Sequence, residues 1–188
     1  GRENRRDLYA LHPTLPQPLI PREHTLELNE RIGSDGSIIT PLDDSALDSL
    51  LDHLAAEHFE SLAVCLLFSY ANPIHEQRFR DRAISRGLFR AEQIALSSDV
   101  LPEFREYERA STTALEGYVR PIMDRYLGAL ERAIPSRLLI MKSDGGVISA
   151  GAARQKAILT ALSGPAAGVI GAHTIASAAG YAHIITLD

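Results

Sequence analysis

A carboxylate and a glycine pair at strand ends are the residues of this sequence best suited by type and position to bind an anion. Asp144-Gly145-Gly146 follows the short apolar stretch Leu138 to Met141, and glycine after a strand lets the main chain approach a phosphate. The same trio is the usual composition of a hairpin turn, which its pattern alone favours. Asp188 ends the apolar stretch Ile184 to Leu187 and could be a ligand or a turn residue.

Small residues repeat in the stretch before Asp188. Gly164-Pro165 begins a predicted helix that runs to Gly180. Its small positions recur at three- and four-residue spacing, and they are Gly164, Gly168, Gly171 and Ala172. Because glycine inside a helix costs about 0.5–1 kcal/mol relative to alanine, this face is predicted to pack closely against another element.

Other site chemistries have little support in the sequence. His53 and His58 are five residues apart, which misses the same-face spacing of a helical zinc pair, and no metal cluster is predicted. No Gly-x-Ser-x-Gly elbow is present. Cys65 lies within an apolar run and is predicted to be a buried, unreactive thiol. His75 and Glu76 are predicted to be polar surface.

Composition excludes further classes of protein. Of 188 residues, 45% are hydrophobic and the formal charge is -5, so a folded core is expected and no basic surface for nucleic acid. No apolar run approaches the roughly 20 residues of a membrane helix, and residues 1–7 do not resemble a secretory signal. A cytoplasmic protein that does not bind a membrane is predicted.

The elements expected to hold these residues alternate between strands and helices. Thr25–Ile32 and Ser37–Thr40 are predicted to form a hairpin. A helix is predicted over 43–57, starting at the Thr40 cap, and a strand buried on both faces over 62–68. A second helix is predicted from Asn72-Pro73 to Gly87 and a second strand over 94–101, and residues 103–133 are predicted to form one kinked helix or two separate helices around Pro121. The last predicted elements are a hairpin over 138–149 and strands over 158–162 and 184–187. This order predicts an α/β fold with parallel pairing.

Several strings of the sequence closely resemble the family of hydantoinase A, 5-oxoprolinase and the acetone carboxylase β-subunit. The most specific is LTALSGPAAGVIGAHTIASAAGYAHIITLD, and SYANPIHE, PEFREYERASTT and MKSDGG agree in order. The resemblance implies a partial actin-like (ribonuclease H-like) ATPase fold with a mixed sheet and flanking helices. It also implies two regions, residues 1–101 from the end of the family's N-terminal domain and residues 102–188 from the start of its catalytic domain, interrupted at the second phosphate loop.

The resemblance further implies a function. The full-length protein is expected to be an ATP-dependent hydrolase that opens a cyclic lactam or imide, with Asp188 as the phosphate-loop carboxylate that reaches Mg through water and with a B-type hydantoinase subunit as partner. Asp144, Gly145 and Gly146 are secondary candidates for the nucleotide. This fragment alone is expected to be inactive. The alternatives are an acetone carboxylase-type β-subunit that activates a ketone with ATP, and a nucleotide-responsive scaffold without catalysis. The charged run from Glu103 to Arg109 matches the family but is predicted to be a solvated helix face.

Overall fold

The first helix, α1 (Asp44–Ala56), begins at a side-chain cap one turn later than the sequence suggests. Asp43 is the N-cap, and its Oδ1 accepts a hydrogen bond from the backbone N–H of Ala46 at 2.8 Å. The prediction of a Thr40 cap is therefore wrong, because a carboxylate three residues before a free N–H satisfies it directly. Leu47, Leu51 and Leu54 lie on one face of α1 and are buried, as their spacing predicts.

A computed structural model describes residue 9, residues 11–12, residues 17–134 and residues 136–187. The chain divides into two units, residues 1–115 and residues 116–188. Among the described residues, no helix is both long enough and apolar enough to cross a membrane.

The core of the first unit is a strand–helix–strand crossover. Strand β3 (Leu62–Val64) pairs in parallel with β4 (Ile94–Leu96), and α2 (Ile74–Ser85) connects them. The parallel pairing is as predicted. The strand over 62–68 is shorter than predicted, because its pairing with β4 ends at Val64. A turn follows, in which Phe68 takes a left-handed φ of 58°. Only alternate residues of β3 are buried, so one face of this strand is uncovered in the described chain.

Two further elements of the first unit also depart from the sequence pattern. The N-terminal hairpin is reduced to β1 (Arg31–Ile32) and β2 (Ile38–Thr40), with Gly36 at φ 81° in the turn. β4 ends at Leu96, and the residues that follow form the short helix α3 (Ser97–Val100) where the sequence predicted a longer strand. A 3-10 turn precedes β4 at Ala91–Gln93, and another lies at Arg22–His24.

Helices α1 and α2 are joined by a ladder of opposite charges. Three aspartates at four-residue spacing on α1 face three arginines at the same spacing on α2 and at its C-cap, and these are Asp44, Asp48 and Asp52, and Arg78, Arg82 and Arg86. Arg82 forms the most regular pair, donating to both oxygens of Asp48 at 2.8 and 2.6 Å. Four-residue spacing places each set on one helix face, so the pairs fix the register of α1 against α2.

The longest helix, α4 (Glu106–Ala133), is a single helix that contains Pro121. The sequence left open whether this region is one helix or two, and the structure shows one helix that continues through Pro121. Proline removes one backbone donor but does not end a helix whose flanking turns remain bonded.

The second unit begins within α4 and contains a hairpin and two more helices. Strands β5 (Leu139–Met141) and β6 (Val147–Ser149) pair antiparallel, as predicted. Helix α5 (Ala150–Gln155) is capped by Ser149, and α6 (Ser163–Ala178) ends before Gly180, whose φ is 86°. The predicted α/β class is confirmed, and the strands of the described residues form three two-stranded sheets among flanking helices.

Two strands predicted for this unit are not formed. Residues 157–160 make a 3-10 turn, because the carboxylate of Glu116 binds the N–H groups of Ala157 and Ile158 at 3.1 and 2.6 Å and holds them in a tight bend. Residues 184–187 have no strand among the described residues to pair with, and Ile185 and Leu187 are 92% and 96% exposed.

Candidate functional site

The residue with the strongest predicted role, Asp188, lies outside the described residues. The stretch before it, 184–187, is not a strand, so the described chain does not form the element that was expected to deliver this carboxylate. Its role in holding phosphate or Mg is still a prediction.

Asp144 is engaged by its own turn. Its Oδ1 accepts a hydrogen bond from the N–H of Gly146 at 2.9 Å, and its Oδ2 accepts one from Lys142 Nζ at 2.6 Å. The bond from Lys142 is the main reason that the pKa of Asp144 lies below its usual value. Both oxygens of this carboxylate are therefore bonded within the turn, and a role of Asp144, Gly145 and Gly146 at the nucleotide stays a prediction.

Gly145 makes the close approach that was expected of the small residues in α6. Its φ is 85°, and a Cβ at this position would clash with Cδ1 of Ile170 in α6. A Cβ added at Gly164, Gly168 or Gly171 would meet no atom within 4 Å, and Ala172 is only half-buried. Among the described residues these α6 glycines therefore have no close neighbour, and their packing against another element stays a prediction. The contact with α6 uses one of its bulky residues and a glycine of the hairpin turn.

Glu76, expected at the surface, is completely buried. Its Oε1 accepts hydrogen bonds from the N–H of Leu66 at 2.9 Å and from Ser97 Oγ at 2.6 Å. Its Oε2 accepts two more from the N–H and the hydroxyl of Ser98 at 2.9 and 2.7 Å. These four hydrogen bonds offset the free-energy cost of burying the carboxylate, and no described cation contacts it directly.

These contacts gather around the carboxyl ends of β3 and β4. Val64 pairs with Leu96 at the last register position. The residues that follow the two strands, Cys65 and Ser97, are therefore neighbours. Ser69 Oγ lies 2.9 Å from Ser97 Oγ, and both serines are buried. In α/β folds, ligands bind at this edge of a parallel sheet.

Arg109 of α4 completes the cluster, although its charged run was expected to face solvent. The residue is 1% exposed. Its two terminal nitrogens donate to the carbonyls of Glu103 at 2.7 Å and Leu66 at 3.2 Å, and the guanidinium carbon lies 5.4 Å from the centre of the Tyr70 ring. Its Nε has no hydrogen-bond partner among the described residues.

Cys65 is exposed as a residue, which corrects the prediction of a buried thiol. The surrounding protein nevertheless desolvates the sulfur, and this is the main reason that the pKa of the Cys65 thiol is raised. Hydrogen bonding to Ser97 and the charge of Arg109 act in the opposite direction. Cys65 therefore lies at the boundary between solvent and the buried cluster.

His75, the other expected surface residue, is buried against Glu30. Nδ1 of His75 lies 2.6 Å from Oε2 of Glu30, and both side chains are almost fully buried. This pair fastens the segment before β1 to the first turn of α2. It has no access to solvent through which a ligand could reach it.

The sequence contained a signal for this cluster that could not be interpreted. Ser69, His75 and Glu76 belong to the string SYANPIHE, and Arg109 belongs to PEFREYERASTT. Both strings agree with the family, but no periodicity assigns them a role. Only the fold brings them together.

Comparison with known proteins identifies relatives along almost the whole chain. A family model described as hydantoinase/oxoprolinase N-terminal region matches residues 1–87, and one described as hydantoinase/oxoprolinase matches residues 109–188. Caprolactamase subunit alpha of Pseudomonas jessenii is 30% identical over 90% of this chain. The acetone carboxylase beta subunit of Xanthobacter autotrophicus is 34% identical over 91%, and 5-oxoprolinase of Saccharomyces cerevisiae is 32% identical over 80%.

Two solved structures have the same fold over this region. The ATP-dependent caprolactamase from Pseudomonas jessenii superposes with a TM-score of 0.76 at 29% identity and covers 92% of this chain. Nucleotide-free acetone carboxylase superposes with a TM-score of 0.73 at 31% identity and covers 90%. The chain spans 25% of the caprolactamase subunit, 24% of the carboxylase subunit and 12% of the 5-oxoprolinase.

Proposed function

We propose, from the premise that the chain belongs to the hydantoinase/oxoprolinase family, that it is part of an ATP-dependent amidohydrolase that opens a cyclic lactam or imide. One observation carries this proposal: the chain matches an ATP-dependent caprolactamase both in sequence and, over 92% of its length, in structure. The similarity to 5-oxoprolinase points to the same class of bond, an amide within a ring.

The geometry of the described residues bears on where ATP and Mg would be bound. In the described residues the Asp144 carboxylate is bonded within its own turn, and a Cβ added to the α6 glycines would meet no atom within 4 Å. We therefore assign the contacts with ATP and Mg to Asp188 and to segments that the relatives carry beyond the matched quarter. Residues 1–101 and 102–188 are proposed to belong to the N-terminal and catalytic domains respectively.

A second candidate is an acetone carboxylase-type subunit that activates a ketone with ATP. The observation that favours it is the 34% identity to the acetone carboxylase beta subunit, together with the structural match to that enzyme. Relatives of both kinds are named as subunits, which supports a multi-subunit enzyme. We propose that it acts in the cytoplasm. For the amidohydrolase we propose a B-type hydantoinase subunit as the partner.

The deciding experiment uses the natural polypeptide that contains this sequence, produced with and without a B-type hydantoinase subunit. ATP hydrolysis is measured with caprolactam, 5-oxoproline, hydantoin, or acetone with bicarbonate, and products are identified by mass spectrometry. Lactam-dependent or imide-dependent ATP hydrolysis with a ring-opened product supports the first candidate. Ketone-dependent hydrolysis with a carboxylated product supports the second, and the absence of both rejects the family-based assignment of function.

Asp188→Asn tests the site residue in the same assay. Removing a carboxylate that reaches Mg is expected to lower turnover by about 100-fold or more. Asp144→Asn is the matched comparison, because it removes a carboxylate that the structure shows serving its own turn. Equal losses in both variants would place the hairpin turn in the nucleotide site, and unchanged turnover in Asp188→Asn would remove that residue from it.

A further inference from the structure

The part of α4 that belongs to the second unit exposes its apolar side chains. Tyr118, Ile122 and Tyr126 follow one another at four-residue spacing and therefore lie along one face of the helix. These three residues are 63%, 54% and 57% exposed. The buried residues of the same stretch are Glu116, Gly117, Arg120, Leu127 and Gly128. An amphipathic helix normally buries its apolar stripe, whereas this one, which we call the Tyr118 face, is largely uncovered in the described chain.

The borders of the Tyr118 face differ from each other. On one side the helix continues with apolar residues that are half-buried, and these are Val119, Met123 and Leu130. On the other side lie Arg125 and Arg132, which are seven residues apart and both exposed. Tyrosine, methionine and arginine are enriched in the contacts between proteins, and an exposed apolar patch of this kind marks a binding surface. The composition of this face is therefore that of a protein–protein interface.

The charge at the border is positive and is not balanced on the helix itself. Asp124 and Glu131 are the acidic residues next to the two arginines in sequence, and both accept hydrogen bonds from Arg154 of α5, at 2.7 and 3.0 Å. Within the described part of the chain, no carboxylate forms an ion pair with Arg125 or Arg132. A surface that places carboxylates opposite these arginines would complement both the charge and the apolar stripe.

We propose that the Tyr118 face binds the second subunit of the enzyme, through an apolar surface of that subunit that is bordered by carboxylates. The inference rests on the proposed function, in which a B-type hydantoinase subunit is the partner. Two relatives of this chain are named as subunit alpha of caprolactamase and as the beta subunit of acetone carboxylase, which favours a different chain over a second copy as the occupant.

The two kinds of residue have separate roles in this contact. Tyr118, Ile122 and Tyr126 supply the apolar area that leaves water when the subunits meet, so they govern how slowly the complex dissociates. Arg125 and Arg132 attract the carboxylates before contact, so they govern the association rate and its dependence on salt.

The first test measures binding between the natural polypeptide and a B-type hydantoinase subunit by biolayer interferometry. Ile122→Glu places a charge in the centre of the face and is expected to weaken binding by about tenfold or more. Ile39→Glu is the matched control, because Ile39 is a 65% exposed isoleucine of the first unit, and its affinity should stay within about twofold. The double variant Arg125→Glu with Arg132→Glu should slow association and weaken its response to salt. Equal affinity of Ile122→Glu and Ile39→Glu, or no association of the wild-type chains, would overturn the proposal.

A second measurement needs no variant and therefore does not depend on how the substitutions fold. Nitration of tyrosines by tetranitromethane is followed by mass spectrometry in the isolated polypeptide and in the complex, with Tyr9, which is 98% exposed, as the reference. Nitration of Tyr118 and Tyr126 should fall by about threefold or more in the complex, because the contact excludes solvent from both rings.

Three results of the nitration experiment contradict the proposal. Rings that stay reactive in the complex place the contact elsewhere. Rings already protected in the isolated monomer mean that the polypeptide covers the face itself, and protection that grows with the concentration of the polypeptide alone means that a second copy does. Lactam-dependent ATP hydrolysis, assayed on the same complex, separates this contact from the proposed function: its absence from a complex that protects both tyrosines would reject the function and leave the contact.

Discussion

Glu76 and Arg109 bind opposite polar groups of a single residue, Leu66. The carboxylate of Glu76 accepts the N–H of Leu66 at 2.9 Å, and Arg109 donates to the carbonyl of Leu66 at 3.2 Å. One of these residues lies on α2 and the other on α4, 33 positions later in the sequence. The loop after β3 is thus fixed by two charged side chains that are both buried.

Glu76→Gln is expected to destabilise the first unit by about 2–4 kcal/mol, because an amide nitrogen would face donors that now meet carboxylate oxygens. Chemical unfolding followed by circular dichroism measures the loss. Glu57→Gln is the control, since Glu57 is exposed at the end of α1, and a change within about 0.5 kcal/mol is expected there. Equal stability of the two variants would mean that the buried network contributes nothing.

Asp48→Asn should change how stability depends on pH. The hydrogen bond from Arg82 holds the pKa of Asp48 below its ordinary value in the folded chain. A lowered folded pKa means that the ion pair stabilises the chain above the unfolded pKa of about 3.9 and that this stabilisation is lost as the pH falls through the folded pKa. Wild type should therefore melt at a higher temperature than Asp48→Asn near neutral pH, and the two should converge in acid.

Melting curves from neutral pH down to about pH 2 test this expectation against Asp81→Asn. Asp81 has a 69% exposed side chain, and among the described residues its carboxylate pairs with its neighbour Arg80, so its removal should shift the curve little at any pH. Added salt should narrow the difference between wild type and Asp48→Asn because it screens exposed pairs. A difference that persists unchanged in acid would contradict the assignment to this ion pair.

Gly145→Ala should destabilise the second unit by at least about 1–3 kcal/mol, since the added Cβ meets Ile170 and the backbone takes a positive φ. Gly168→Ala is the matched variant in open space, and it should instead stabilise α6 by about 0.5–1 kcal/mol. Thermal unfolding of both variants provides the comparison. Combining Gly145→Ala with Ile170→Ala should recover the part of the loss that comes from the clash but not the part that comes from φ.

Glu116→Gln is expected to release the turn at 157–160. Replacing one carboxylate oxygen by an amide nitrogen breaks a bond to either Ala157 or Ile158, at a cost of about 1–3 kcal/mol. Hydrogen exchange at these two amides should accelerate, while amides in the centre of α1 should not change. Glu131→Gln is the control, because its carboxylate is more exposed and contacts Arg154 at the surface. Unchanged exchange in Glu116→Gln would show that the turn forms without this carboxylate.

Local patterns in the sequence were sufficient for elements that satisfy their own hydrogen bonds. The leucine spacing of α1, the Asn72-Pro73 start of α2 and the glycine turn between β5 and β6 all appear where the sequence predicts them. Strand lengths were less predictable. A strand exists only as far as a neighbour pairs with it, and 184–187 has no such neighbour among the described residues.

The amino-acid sequence by itself therefore determined the family, the α/β class and the order of the main helices, because strings and periodicities are properties of neighbouring residues. The tertiary structure alone decided which charged residues are buried. Glu76 and Arg109 look like solvated helix residues in the sequence. They can be buried because Leu66, Ser97 and Ser98, which belong to other parts of the chain, form hydrogen bonds with them. The free energy of burying a charge depends on partners that no local pattern specifies.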